Sequence, residues 1–299
     1  MRVSELEREQ LPALLQLVNS HLSTVVPGWA LTTEFLERNL ERDSTEPVTD
    51  PWVVERATLC VVDGERVLAA SHLVLYGDAE KVGEAFWGVG EICWLLFEPG
   101  HPDAAEAVLA ASQDWLTEKE VKREELWGGG MFVPAFAGVP DTWPHVASTL
   151  EAAGYRPGSE RREALYGGRL NQAPEPGEPP FANLVVRRSV GAFGPRFSAV
   201  LNGEELAYCE CVPDLALSGA LPALRGWAEL AEIKVCESWR NRRIGSWLLS
   251  HVTRWLRLAA CDRVVLSVAA DDERAGAGRL YRRFGWDVFV REVRSWSRE

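Results

Sequence analysis

From Ile244 to Ala259 the apolar residues recur at helical spacing. Ile244, Leu248, Leu249, Val252, Trp255, Leu256 and Ala259 form one stripe, with Arg254 and Arg257 off it. This predicts an amphipathic helix over 244–258, and a similar pattern predicts another over 103–117. Shorter stretches have strand character. VVDGERVLAA and AVLNGEELAY each read as strand, tight turn, strand. GEICWLLFEP and AELAEIKVCE each read as a strand that opens on a glutamate, Glu91 or Glu229. Further strands are predicted over 124–133 and 263–270. Each is followed by a helix that ends in a glycine and an aromatic, LEAAGY (150–155) and LYRRFGW (280–286), with Gly154 and Gly285 as stops. LEREQLPALLQLVNSHL and TTEFLERNLERD predict two more helices near the start, without later counterparts.

These elements form two sets whose spacing agrees to within one residue: Gly64 with Gly203, Glu91 with Glu229, Phe97 with Val235. A spacing that holds across a turn, a strand and a strand end indicates a duplicated unit. Between the copies lies GGRLNQAPEPGEPPF, 167–181, whose four prolines and three glycines read as a linker. The expected organisation is a first domain over 1–166, the linker, and a second domain over 182–299. Hairpins ahead of a strand–helix–strand crossover imply antiparallel strands and then parallel neighbours. Each domain is therefore expected to be an α/β unit, a mixed central sheet flanked by helices, and not a Rossmann half.

Composition narrows the classes. A chain of 299 residues, 46% hydrophobic and 25% charged, is ample for two globular units. A net charge of -12 argues against a nucleic-acid backbone as partner. The charged opening MRVSELEREQ and the lack of any long apolar run point to a soluble, cytoplasmic chain with no membrane partner. The six cysteines and the five histidines (21, 72, 101, 145, 251) show no ligand spacing, so no metal is expected. Cys209-x-Cys211 reads as core filling and Cys236 as packing.

Against that negative balance, VCESWRNRRIGSWLL stands out. Arg240, Arg242 and Arg243 lie just before Gly245 and Ser246, at the start of the helix predicted from Ile244. Cations there oppose the helix dipole but suit an anion held at the helix mouth. A solvated charge run before an ordinary helix is the plain alternative. Glu229 and Glu232 stand three apart on the strand that ends at Val235. In a regular strand they face opposite sides, and Glu229 shares the side of Val235.

The second half resembles a GCN5-related N-acetyltransferase, and the pair resembles a tandem member of that superfamily. The resemblance is carried by Val235, Trp239 and Arg240-Asn241-Arg242-Arg243-Ile244-Gly245-Ser246, and then by Leu280-Tyr281 with Gly285-Trp286. It implies an acetyl-CoA donor whose diphosphate rests on the backbone N–H groups of Arg242, Arg243, Ile244, Gly245 and Ser246, with Arg240 beside them. It also implies a Val235 N–H that polarises the thioester carbonyl, and Tyr281 as general acid for the leaving thiolate. Two positions depart from the family pattern: Arg243 replaces the first loop glycine, and Asp271-Asp272 replaces an asparagine before the last helix. The general base is Glu229 or Glu232, with Glu229 preferred. Its weight depends on the acceptor, because deprotonating an alkylamine at pH 7 costs ~4.6 kcal/mol and an α-amino group ~1.4 kcal/mol.

In the first half, Pro102 and Ala107 replace the loop arginine and glycine, Leu150 replaces the tyrosine, and Asp103 and Glu106 stand near the phosphate position. That half is expected to be a degenerate copy. The function expected is direct transfer of an acetyl group to a primary amine of a small molecule or peptide, the acceptor being unidentified and cationic. The second reading is a non-catalytic acyl-CoA binding or sensing protein. A transferase using aminoacyl-tRNA is disfavoured by the charge. The oligomeric state stays open between monomer and homodimer.

Overall fold

The computed structural model describes residues 2–41, 49–126, 133–158 and 162–298. In chain order the elements are β1 (Val3–Glu5), α1 (Leu11–Val25), α2 (Thr33–Leu40), β2 (Val53–Asp63), β3 (Arg66–Tyr76), β4 (Val89–Phe97), α3 (Pro102–Glu118), β5 (Arg123–Leu126), β6 (Val139–Pro140), α4 (Pro144–Ala152), β7 (Arg156–Pro157) and β8 (Arg162–Arg169). They continue as β9 (Leu184–Val190), β10 (Pro195–Leu201), β11 (Glu204–Val212), β12 (Trp227–Val235), α5 (Ile244–Leu258), β13 (Arg263–Ala269), α6 (Ala270–Ala275), α7 (Ala277–Arg283), β14 (Asp287–Val293) and β15 (Trp296–Ser297). Of the strand predicted over 124–133, residues 127–132 lie outside the described residues.

Local chemistry accounts for many boundaries. The β10–β11 hairpin turns on Asn202 (φ 51°) and Gly203 (φ 91°), the two positive angles that a tight turn matching strand twist requires. Thr32 caps α2 by accepting the Phe35 N–H at 3.2 Å. Gly154 and Gly285 stop α4 and α7 as predicted, at φ 89° and 75°, and the Trp286 N–H returns to the Tyr281 carbonyl at 3.2 Å.

The chain divides into Met1–Glu163 with Val290–Glu299, here unit 1, and Ala164–Phe289, unit 2. The sheet of unit 1 runs β1-β2-β3-β4-β5-β15-β7, and the second sheet runs β6-β14-β8-β13-β12-β11-β10-β9. Both are mixed, with the parallel pairs β4–β5 and β12–β13 following antiparallel hairpins. The strand between β5 and β7 is thus supplied by residues 296–297, and the strand between β13 and β14 by β8.

This differs from a linker over 167–181. Gly167 and Gly168 lie in β8, and Leu170 and Ala173 are buried in the core of unit 2. The glycines serve close packing instead of flexibility. A Cβ at Gly167 would stand 2.1 Å from Phe289, and one at Gly168 would stand 2.5 Å from Trp286.

The core of unit 2 forms between α5 and the sheet. Ile244, Leu248, Leu249, Val252 and Leu256 pack with Ala207, Cys209, Cys211, Ala228, Leu230 and Val264, so both cysteines of the Cys-x-Cys pair fill the core. At about 25 cal/mol per Å² of apolar surface, each fully buried leucine or valine contributes roughly 1.5–3 kcal/mol. That burial holds the helix in place despite the cations at its start.

Candidate active site

The strand that leads to the site contains a bulge. Glu232 faces Glu210 and Leu230 faces Cys211, which leaves Ala231 as an extra residue on β12. The bulge reverses the side-chain phase expected from counting. Glu229 and Glu232, opposite Val212 and Glu210, lie on one face, whereas Val235, opposite Ala207, lies on the α5 face. The predicted opposition of the two glutamates, and the shared side of Glu229 and Val235, are corrected by this one inserted residue. Unit 1 repeats the device: His72 faces Trp94 and Leu73 faces Ile92, leaving Cys93 as the extra residue of β4.

Beyond the bulge β12 leaves its parallel neighbour. Pairing with β13 covers only Trp227, Ala228 and Glu229, opposite Arg263, Val264 and Val265. The Cys236 N–H bonds the Leu206 carbonyl at 2.8 Å, so the adjacent pair Val235–Ala207 falls between hydrogen-bonded pairs. The Val235 N–H therefore points away from β11, into the opening between β12 and β13. The Val235 carbonyl points the same way and accepts Arg240 Nε at 3.4 Å.

The loop into α5 assembles most of the predicted binding residues. Arg240, Arg242 and Arg243 are exposed, and Arg242 stacks over the Trp239 ring at 5.0 Å. Arg243 caps the helix in the left-handed region, φ 65° and ψ 2°, where glycine would be at ease and another residue is strained by about 1–2 kcal/mol. Ser246 Oγ donates to the Arg243 carbonyl at 3.0 Å, and the first helical acceptor, the same carbonyl, receives the Trp247 N–H at 3.0 Å. The N–H groups of Ile244, Gly245 and Ser246 thus precede the helical ladder and face outward, as at any helix start. A Cβ at Gly245 would stand 3.2 Å from Val235 Cγ2, so glycine lets the helix mouth approach the strand end. A diphosphate fits these donors, the glycine approach and the arginines.

Tyr281 enters from α7. It is buried, its ring 5.4 Å from Tyr166 and stacked at 6.0 Å on Trp286. Burial, with Cys209 nearby, raises its phenol well above the ordinary tyrosine range, so it stays protonated at neutral pH. Cys209 faces Ile233 on β12, two residues before Val235. Glu232 accepts a hydrogen bond from the Tyr208 hydroxyl at 2.6 Å. Glu229 lies opposite Val212 on β11 and Val265 on β13, where β12 and β13 are still paired. Cys236, expected as packing, is exposed, because the chain leaves the sheet there.

Tyr208, Arg196 and Glu210 escaped the sequence reading. Their signal was available in AYCECV, where polar Tyr208 and Glu210 alternate with buried Ala207, Cys209 and Cys211. Among the described residues, no group of three or more His, Cys, Asp or Glu is placed to hold a metal ion, and no helix is long and apolar enough to cross a membrane.

Two mixed sheets, each with a strand–helix crossover beside an antiparallel hairpin, define the tandem GNAT fold. Residues 164–286 match the model of the Acetyltransferase (GNAT) family. A tandem GNAT protein from the clavulanic acid biosynthesis pathway shares the fold, with a TM-score of 0.61, 16% identity, and coverage of 99% of this chain and 97% of that one. A GCN5-related N-acetyltransferase from Sphaerobacter thermophilus aligns with a TM-score of 0.66 at 16% identity, covering 99% and 95% of the two chains. A GCN5-related glucosamine N-acetyltransferase region of a fungal multi-domain β-N-acetylglucosaminidase aligns with a TM-score of 0.64 at 14% identity, covering 99% of this chain and 38% of that one. No curated protein matches the sequence.

Proposed function

We propose that the chain is an acyltransferase that moves an acetyl group from acetyl-CoA directly to a primary amine, and that unit 2 carries the reaction. The observation that supports it most is the separation of β12 from β13 after Glu229, with the Val235 N–H facing the gap beside an arginine-rich helix start. When bound, acetyl-CoA supplies the activated acyl group. The backbone N–H groups from Arg242 to Ser246, with Arg240, hold the diphosphate. The Val235 N–H donates to the acyl carbonyl and stabilises the charge that grows on its oxygen. Tyr281 gives its phenolic proton to the departing sulfur. Glu229 or Glu232 removes a proton from the acceptor ammonium.

The net charge of -12, with arginines gathered at the donor loop, favours cationic amines as acceptors. The six cysteines are all free, which suits the reducing cytoplasm. A chain that only binds acyl-CoA would share the cradle and release no thiol. Thiol release from acetyl-CoA across a panel of amines separates the two. Tyr281→Phe keeps the ring and is expected to lower kcat about 10²-fold while leaving coenzyme A affinity within about twofold. Undiminished turnover in that variant, with chemistry rate-limiting, removes Tyr281 from the reaction.

A further inference from the structure

The face of the unit 2 sheet turned away from α5 carries a linked set of polar side chains. The Phe193 N–H donates to Glu210 at 3.1 Å, and a Cβ at Gly191 would stand 2.3 Å from the Glu210 carboxyl carbon, so the glycine leaves room for the carboxylate in this position. Glu210, buried, pairs with Arg196 at 2.8 Å, and Glu205 holds the other guanidinium nitrogen at 2.7 Å. Arg196 Cζ lies over the Tyr208 ring, 3.6 Å from its centroid, in cation–π contact. The Tyr208 hydroxyl donates to Glu232 at 2.6 Å, and this bond is the main cause of the raised Tyr208 phenol. A chain of fixed contacts thus runs from the backbone to a single carboxylate oxygen. In unit 1 the same register positions are Thr58, His72, Ala70 and Trp94, where Thr58 and His72 share a hydrogen bond at 2.9 Å and His72 stacks on Trp94, so none of the four positions carries a carboxylate.

Distance decides between the two candidate bases. Val235 faces Ala207, Glu232 faces Glu210 and Glu229 faces Val212. At about 3.3 Å per residue, Glu232 lies roughly 10 Å along the strand from Val235, and Glu229 roughly 17 Å. A base must reach the amine directly or through one water. An amine attacking a carbonyl held at Val235 meets that condition with Glu232 and not with Glu229.

Resting on the acyl-transfer reading above, we infer that Tyr208 is a positioning residue that fixes Glu232 as the base for the acceptor ammonium, with Arg196 clamping the phenol ring. Glu232 takes one proton from the ammonium, and the nitrogen lone pair so freed forms the C–N bond. The C–S electron pair leaves with the sulfur, which takes the Tyr281 proton. The second proton shed by nitrogen restores the phenol, and Glu232 returns its own to water.

The role of a base can be separated from structural support by the nucleophile. Ethylamine is protonated at pH 7 and needs deprotonation, whereas hydroxylamine is already neutral. With acetyl-CoA and thiol release as readout, Tyr208→Phe is expected to lower kcat about 10-fold for ethylamine and less than about 2-fold for hydroxylamine, with KM for acetyl-CoA unchanged. Glu232→Gln should show the same selectivity at about 10²-fold, and the double variant should add nothing to it. Equal losses on both nucleophiles, or multiplicative losses in the double variant, overturn the assignment and leave the acyl-transfer reading standing. A wild-type chain that releases no thiol above background with either nucleophile overturns both.

Discussion

Glu292 shows how one side chain can make the stability of unit 1 depend on pH. Both carboxyl oxygens are buried without a hydrogen-bond partner among the described residues, and the nearest cation, Arg294 Nε, is 3.8 Å away. Burial pushes the carboxyl up to about 7, against 4.5 for the free side chain. Below pH 4.5 it is protonated folded or unfolded. Between 4.5 and 7 the unfolded chain gives up a proton that the folded chain keeps, so stability falls as pH rises through this window. At 1.36 kcal/mol per pKa unit the upper bound is on the order of 3 kcal/mol. Glu292→Gln, which mimics the protonated form, is therefore expected to raise the melting temperature at pH 8 and leave it unchanged at pH 4.5. A shift of equal size at both pH values would refute the account.

At the scale of elements, the two halves share a lattice and differ in what occupies it. In unit 1 the end of β4 at Phe97 is closed by His21 and His145, whose Nε2 atoms stand 3.1 Å apart, with the His145 ring edge-on to Phe97 at 4.8 Å and His21 Nδ1 2.9 Å from the Leu17 carbonyl. Burial lowers both histidines, His21 to about 4, so the pair is neutral at physiological pH and one imidazole donates to the other. Trp143 packs edge-on against His21 at 5.2 Å and donates to Thr24 at 2.9 Å. The position matching the Val235 opening is thus filled by side chains. At the start of α3, Pro102 removes an N–H, and Asp103 and Glu106 are exposed where arginines stand in unit 2. Calorimetric titration is expected to give one tight coenzyme A site per chain, abolished by Gly245→Val or by reversing the charge of Arg240 and Arg242 together. Two equivalent sites would contradict this. The contrast between the loop residues of the two halves was legible in the sequence, but the histidine plug was not, because His21 and His145 are brought together only by folding. The β12 bulge left a trace that simple counting missed: in AELAEIKV the polar–apolar alternation slips at Leu230–Ala231.

For the whole molecule, duplication was readable because turns, glutamates and helix stops repeat at one spacing. The division of strands was not. Local pattern shows that a segment is a strand but not which sheet receives it, and β8 and β15 each join a sheet on the far side of the Pro/Gly-rich stretch from their sequence neighbours. A fragment spanning 182–299 lacks β8, the strand between β13 and β14. Its absence would leave two unpaired strand edges and uncover Trp286 and Phe284. This fragment is expected to unfold without a cooperative transition, while a fragment starting at Arg162 recovers one in thermal denaturation followed by circular dichroism. Equal cooperativity in both would show that β8 is dispensable.

The position of β15 also constrains the order of events during synthesis. Its strand lies between β5 and β7, yet it is translated after all of unit 2. At about 5–20 residues per second, the ribosome needs on the order of ten seconds to pass from Pro157 to Trp296. Throughout that interval the nascent first sheet has a vacant slot, so the part of the protein made first is among the last to be finished.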